Sequence, residues 1–206
     1  REGGRAAVTT AIITAHGQQQ RMERRIDHPK QLLKVGGTTI AERTVRLCFE
    51  HGIPADRIFV VAPAIPAWID LTTALGINPP PALKNDGRPL LDGLYEAQGL
   101  FPEWDETVIL LGDVVFSRAA FRTVMEDAPF SFYGRPGPNL VTGKANGEMF
   151  GWRFASYVRT QAVDLLRRAL TQAQGRTLYG LYKMVERFST FKDCYKNIED
   201  YTDDVD

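Results

Sequence analysis

The chain has few cysteines and no long apolar run. Only Cys48 and Cys194 occur among its 206 residues, a number and spacing that predict neither a disulfide framework nor a cysteine metal site, so we expect both to stay reduced. No apolar stretch approaches the roughly 20 residues that a membrane-spanning helix needs. Residues 1–5 lack the apolar segment of a signal peptide. We therefore expect a cytoplasmic protein that makes no membrane contact.

The sequence also lacks an excess of charge of either sign. Its 25 lysines and arginines balance 25 acidic residues, which gives a formal net charge of zero. Such a chain has no general attraction to nucleic acids, so we do not expect one as a partner. A length of 206 residues with 44% hydrophobic residues predicts a single domain over 1–206, with residues 1–7 as a flexible tail.

The segment that says most about function lies near the N-terminus. An apolar run, Val8–Ala15, ends in His16-Gly17, which predicts a buried strand entering a loop. The loop then presents Arg21, and Lys30 follows. Backbone N–H groups freed by the turn at Gly17, together with two cations at the carboxyl end of a first strand, suit a polyphosphate ligand.

Strand and helix patterns alternate along the chain. This alternation predicts a mainly parallel sheet with helices on both faces. Two later strands, separated by a turn-rich segment, predict a small mixed-sheet insert. The predicted strands are 8–15, 57–62, 107–111, 130–133 and 147–154, and the predicted helices are 39–50, 68–75, 89–99, 157–174 and 178–187, with a further helix beginning at 119.

Several motifs together resemble nucleotidyltransferases of the GT-A, Rossmann-like type, which include sugar-nucleotide pyrophosphorylases, cytidylyltransferases and molybdopterin guanylyltransferase-type enzymes. The resemblance covers almost the whole chain. It implies a three-layer α/β/α fold, similar to nucleotide-diphospho-sugar transferases, and transfer of a nucleotidyl group from an NTP with release of pyrophosphate. The motifs are Ala15-His16-Gly17, Arg21-Met22, Pro29–Leu33, Ile40–Thr44, Val108–Asp113 and the acidic C-terminus.

The resemblance assigns the phosphate contacts. In related enzymes the loop arginine and the lysine of the Pro-Lys pair contact phosphates, which makes Arg21 and Lys30 the expected catalytic cations. Ala15, His16 and Gly17 would form the substrate-binding loop beside them. His16 stands where the family has an alanine, so it either touches the phosphates or only fills the altered loop. If the resemblance did not hold, Arg21 and Lys30 would be ordinary loop charges.

Acidic residues provide a candidate metal site. Asp113 ends an apolar strand, and an acid at the carboxyl end of a parallel strand lies on the ligand side of an α/β sheet. The resemblance implies that Asp113 binds a divalent metal, Mg²⁺, with Asp204 and Asp206 as further carboxylates on one side of an extended segment. The alternatives are that Asp113 caps a helix and that the acidic C-terminus is solvated.

Three further residues are expected to touch the substrates. Asn85 and Arg88 lie where relatives read the nucleobase, and Glu148 lies where relatives face the second substrate. An ordinary turn and an exposed strand position are the alternatives. The expected partners are an NTP or sugar nucleotide and a small, phosphorylated acceptor, while homo-oligomer formation stays open.

One departure from the family pattern keeps other functions open. Gln19 stands where the family has a glycine, and glycine there would permit a positive φ and a close approach of phosphate. A GT-A glycosyltransferase that uses a sugar nucleotide is one alternative, although only one acid, Asp113, ends the mid-chain strand. A nucleotide-binding domain without catalytic activity is the other.

Overall fold

A computed structural model describes residues 8–15, 29–82, 89–126, 130–135, 148–172, 177–188 and 195–197. The strands of this part of the chain are β1 (Thr9–Thr14), β2 (Lys34–Val35), β3 (Thr38–Thr39), β4 (Ile58–Val61), β5 (Glu106–Leu111), β6 (Phe130–Arg135), β7 (Glu148–Phe154) and β8 (Tyr195–Asn197). The α-helices are α1 (Ile40–Glu50), α2 (Pro66–Leu75), α3 (Leu90–Glu96), α4 (Arg118–Met125), α5 (Arg159–Gln172) and α6 (Leu178–Phe188).

A six-stranded sheet in the order β4-β1-β5-β7-β6-β8 forms the centre of the molecule. β1 pairs in parallel with β4 and β5, whereas β7 is antiparallel to both β5 and β6. β8 is parallel to β6. The carboxyl ends of β1, β4, β5, β6 and β8 therefore meet the amino end of β7 at one edge of the sheet, which we call the carboxyl edge.

Helices cover both faces of this sheet. Because successive side chains of a strand point to opposite faces, neighbouring residues of one strand enter different cores: Ile13 packs with α1, α2 and α4, and Ile12 packs with α3, α5 and α6. Both isoleucines are fully buried. Burial on both faces explains why β1 and β5 read as continuous apolar runs. The result is a three-layer α/β/α arrangement.

Local chemistry sets the helix ends. The side chain of Thr39 accepts a hydrogen bond from the Glu42 N–H at 3.1 Å and begins α1. Gly76, with a φ of 64°, adopts the left-handed conformation that ends α2. No helix within the described ranges is long and apolar enough to cross a membrane.

These features confirm the predicted fold class. The two middle strands, β6 and β7, belong to the central sheet and make it mixed. The predicted helix at 89–99 is an α-helix only to Glu96, and Ala97–Leu100 continues it as a 3₁₀ helix. The β2–β3 hairpin and β8 were not predicted, because strands of two or three residues are too short to show a periodic pattern.

A buried ion pair lies at the edge of the sheet opposite the carboxyl edge. Arg153 of β7 is only 4% exposed and forms an ion pair with Glu106 of β5. Its guanidinium also donates to the backbone carbonyls of Val124, at 3.3 Å, and Glu126. The pair therefore joins two strands of the sheet to the end of α4.

We expect Arg153→Leu to lower the free energy of unfolding by about 3 kcal/mol, because it leaves the Glu106 carboxylate in a largely buried place without its cation. Arg167→Leu is the matched control, since Arg167 forms an exposed pair with Asp164 and should cost about 1 kcal/mol or less. Urea denaturation followed by circular dichroism measures both values. Equal losses for the two variants would contradict the structural role given to Arg153.

Candidate active site

The candidate site lies where β1 and β5 end side by side. Thr14 of β1 is paired with Leu111 of β5, and the Thr14 hydroxyl donates to the carbonyl of Leu110 at 3.2 Å. One residue further on, the Ala15 N–H donates to the carbonyl of Val61 in β4 at 2.8 Å. Sequence analysis did not single out Thr14, whose only signal is its position at the end of an apolar run.

Gly112 follows β5 and allows the chain to turn in close contact with the end of β1. Its N–H donates to the carbonyl oxygen of Thr14 at 2.8 Å. A Cβ added at Gly112 would lie 2.9 Å from that same oxygen, which is closer than real Cβ atoms come. A tight turn follows, in which the Val114 N–H reaches the Leu111 carbonyl at 3.4 Å. This turn places Asp113 at the carboxyl edge.

Lys30 reaches the same place from a short 3₁₀ helix, Lys30–Leu32. Leu32 packs against the core on the α1 side of the sheet, and the carbonyl of Leu33 accepts a hydrogen bond from the Ile40 N–H at 3.1 Å. The backbone below Lys30 is thus attached both to the core and to the start of α1. Its long side chain extends from this fixed base.

The Nζ atom of Lys30 forms an ion pair with Oδ2 of Asp113. The Lys30 side chain is 35% exposed and the Asp113 side chain 26% exposed, so both charged groups are half-buried and remain open to solvent. The motifs predicted a role for each residue but not their contact. The structure therefore brings the predicted phosphate-binding lysine and the predicted metal-binding carboxylate into one site.

Glu148 lies at the same edge on the next strand. The register between β5 and β7 pairs Leu110 with Gly151, and Asp113 and Glu148 each lie three residues beyond that pair in the same direction. An added Cβ at Gly134 of β6 would collide with the Glu148 carbonyl oxygen, so β6 holds the start of β7 closely. This position suits the predicted contact of Glu148 with the second substrate.

Of the other predicted site residues, only Ala15 lies within the described ranges. Ala15 is buried, and its N–H is engaged by Val61, so that N–H is not available to a phosphate. β8 ends at Asn197 on the carboxyl edge, a few residues before the C-terminal acids. The residues that lie outside the described ranges, and whose roles stay predictions, are His16, Gly17, Arg21, Asn85, Arg88, Asp204 and Asp206.

The carboxylates of the candidate site are few, which bears on their fit to Mg²⁺. Within the described ranges, no group of three or more His, Cys, Asp or Glu side chains is arranged to hold a metal. Mg²⁺, however, is usually bound by one or two carboxylates together with water and substrate phosphates. The half-exposed carboxylate of Asp113 therefore fits a Mg²⁺ ion that is completed by a bound nucleotide.

Cys48 does not take part in this chemistry. Its side chain is fully buried in the core beside α1. Burial raises the pKa of the Cys48 thiol far above its usual value because the thiolate would lose its hydration. The residue remains a neutral thiol and contributes packing rather than a nucleophile.

A mostly parallel sheet with ligand-facing charges at its carboxyl edge is typical of α/β proteins that bind nucleotides. The model of the MobA-like NTP transferase domain family matches residues 11–187, and the chain belongs to this family. The match confirms the resemblance that the sequence motifs indicated.

Solved structures support the same fold. The inositol-1-phosphate CTP transferase from T. maritima has a TM-score of 0.64 at 13% identity, covering 95% of this chain and 86% of that one. The CTP:phosphocholine cytidylyltransferase from Streptococcus pneumoniae has a TM-score of 0.64 at 16% identity, covering 94% and 91%. The UDP-glucose pyrophosphorylase from Acinetobacter baumanii has a TM-score of 0.61 at 13% identity, covering 93% and 86%. No curated protein matches the chain.

We expect Gly112→Ala to lower the free energy of unfolding by about 1–3 kcal/mol, because the new methyl group would force β5 away from the Thr14 carbonyl. Gly99→Ala is the matched control, since a Cβ there meets no atom within 4 Å, and it should stay within about 0.5 kcal/mol of the parent. Urea denaturation measures both. A Gly112→Ala variant as stable as Gly99→Ala would show that β5 does not need this close approach.

Proposed function

We propose that the protein transfers a nucleotidyl group from an NTP to a small phosphorylated acceptor, with Mg²⁺, and releases pyrophosphate. The observation that carries the proposal is the meeting of Lys30 and Asp113 at the carboxyl edge. A cation that can bind phosphate and a carboxylate that can bind a metal are the two groups that a triphosphate site requires.

The family and the similar structures support this proposal. The family is one of NTP transferases. Two of the similar structures are those of enzymes named for transfer to inositol-1-phosphate and to phosphocholine. Because both named acceptors are phosphorylated small molecules, we infer an acceptor of the same class here.

The reaction is an in-line displacement at the α-phosphorus of the NTP. An oxygen of the acceptor phosphate forms the new bond, and the bond between the α-phosphorus and the oxygen leading to the β-phosphorus breaks, so pyrophosphate leaves with the electron pair. The protein needs no covalent intermediate. Its work is to position the two substrates and to stabilise charge on the phosphate oxygens.

Lys30 would supply part of that stabilisation. Its ammonium carries three N–H donors at the end of a flexible stem, and its backbone is attached to the core and to the start of α1. Arg21 is proposed as a second cation on the triphosphate. Asp113, with Asp204 or Asp206, would hold Mg²⁺, which offsets the negative charge of the phosphates when bound.

Glu148 would act on the acceptor side. It begins β7, next to the strand that carries Asp113, and its side chain is partly exposed. A carboxylate there can accept a hydrogen bond from an acceptor hydroxyl, which orients the acceptor without binding the triphosphate. Glu148 would therefore influence acceptor binding more than NTP binding.

We expect Lys30→Ala to lower kcat/KM by about 10- to 100-fold, since a hydrogen bond to a charged group is worth about 1.5–3 kcal/mol. Lys34→Ala, which removes an exposed lysine from β2, should retain the parent rate. The measurement is pyrophosphate release from each of the four NTPs with a panel of sugar 1-phosphates, inositol phosphate and phosphocholine, after circular dichroism has verified folding. An unchanged rate for Lys30→Ala would exclude the role of the lysine, and no release by the parent enzyme would contradict nucleotidyl transfer.

We expect Glu148→Gln to raise KM for the acceptor by about tenfold or more while KM for the NTP stays unchanged, because a charged hydrogen-bond acceptor is replaced by a neutral one. Glu103→Gln is the control, since Glu103 is exposed just before β5, at the opposite edge of the sheet. Steady-state kinetics with each substrate varied in turn separates the two constants. Equal changes in both KM values would indicate a general disturbance of the site.

A further inference from the structure

The Lys30–Asp113 pair has a consequence for the order in which ligands bind. The ammonium of Lys30 lies directly on Oδ2 of Asp113, on the carboxylate that would also hold the metal ion. We propose that Lys30 takes the cation position of the metal in the nucleotide-free protein, so that Mg²⁺ binds more weakly alone than together with a nucleotide. This inference rests on the proposed function in taking the ligand to be a nucleoside triphosphate.

Direct contact makes the two cations compete for Asp113. Mg²⁺ requires oxygen ligands at about 2.0–2.1 Å in near-octahedral geometry, and an ammonium held on the same carboxylate hinders that approach and repels the ion. Lys30 is the one ion-pair partner of Asp113 within the described part of the chain. A free metal ion therefore meets a carboxylate whose charge is already balanced.

A bound triphosphate changes this balance. Its oxygens offer Lys30 new negative partners, and a half-exposed ion pair is weak enough to exchange one partner for another. Lys30 then releases Asp113 at the moment when phosphate oxygens arrive to complete the coordination of the metal. Because linkage is reciprocal, the nucleotide promotes metal binding and the metal promotes nucleotide binding.

The proposal gives one substitution two opposite effects. Removing the Lys30 charge frees Asp113 and favours binding of the bare metal. The same change removes a phosphate contact and weakens binding of the metal–nucleotide complex. A lysine that served only as a phosphate ligand would show the second effect alone, and a structural lysine would show neither.

Binding of Mn²⁺, used as a paramagnetic probe for Mg²⁺, tests the first effect without any nucleotide. We expect Lys30→Met to bind Mn²⁺ about three- to tenfold more tightly than the parent protein, as measured by electron paramagnetic resonance at about 0.15 M salt, where remote surface charges are screened. Lys34→Met is the matched control and should bind Mn²⁺ like the parent. Adding Asp113→Asn to Lys30→Met should abolish the gain.

Three outcomes would overturn the proposal. They are Mn²⁺ binding by Lys30→Met that is equal to or weaker than that of the parent, the same gain in Lys34→Met, and a gain that survives Asp113→Asn. A second titration, of Mn²⁺ with each NTP, should show weaker binding of the complex by Lys30→Met. If no NTP binds the parent protein, the proposed function fails, whereas the nucleotide-free titration still decides whether Lys30 and the metal compete.

Discussion

The close approach of Gly112 to the carbonyl of Thr14 is the constraint on which the site depends. It keeps β1 and β5 paired to their ends, and it leaves no room for a side chain at that position. Because the chain turns directly after β5, Asp113 stays at the carboxyl edge beside the end of β1. Lys30 follows β1 in the chain, and its 3₁₀ helix is attached to the core. From there its side chain reaches the Asp113 carboxylate.

The two edges of the sheet each carry an ion pair, and the two pairs differ in their exposure to solvent. The Arg153–Glu106 pair is almost fully buried, and the Arg153 guanidinium also donates to two backbone carbonyls. Removing one partner would therefore leave the other charge buried and unpaired. The Lys30–Asp113 pair is half-exposed, so either partner can accept a ligand at small cost. The same type of interaction thus stabilises the fold at one edge and prepares for ligand exchange at the other.

The sequence predicted the parts of the molecule that depend on local pattern. The runs of β1 and β5 are apolar because both faces are buried, and Thr39 carries the chemistry of a helix start. Lys30 and Asp113 were predicted singly, from their motifs. Their contact was not, because it depends on the β1–β5 register, on the turn at Gly112 and on the anchoring of a three-residue 3₁₀ helix, none of which has a periodic signal.

The most direct test of a nucleotide site at the carboxyl edge is a thermal-shift comparison of the parent protein and Asp113→Asn with the four NTPs and several sugar nucleotides, each with and without Mg²⁺. A ligand that binds only the folded state raises Tm. We expect at least one NTP to raise the Tm of the parent only when Mg²⁺ is present, and Asp113→Asn to lose this rise. A rise with sugar nucleotides alone would indicate glycosyl transfer, and no rise with any nucleotide would contradict a nucleotide site at the carboxyl edge.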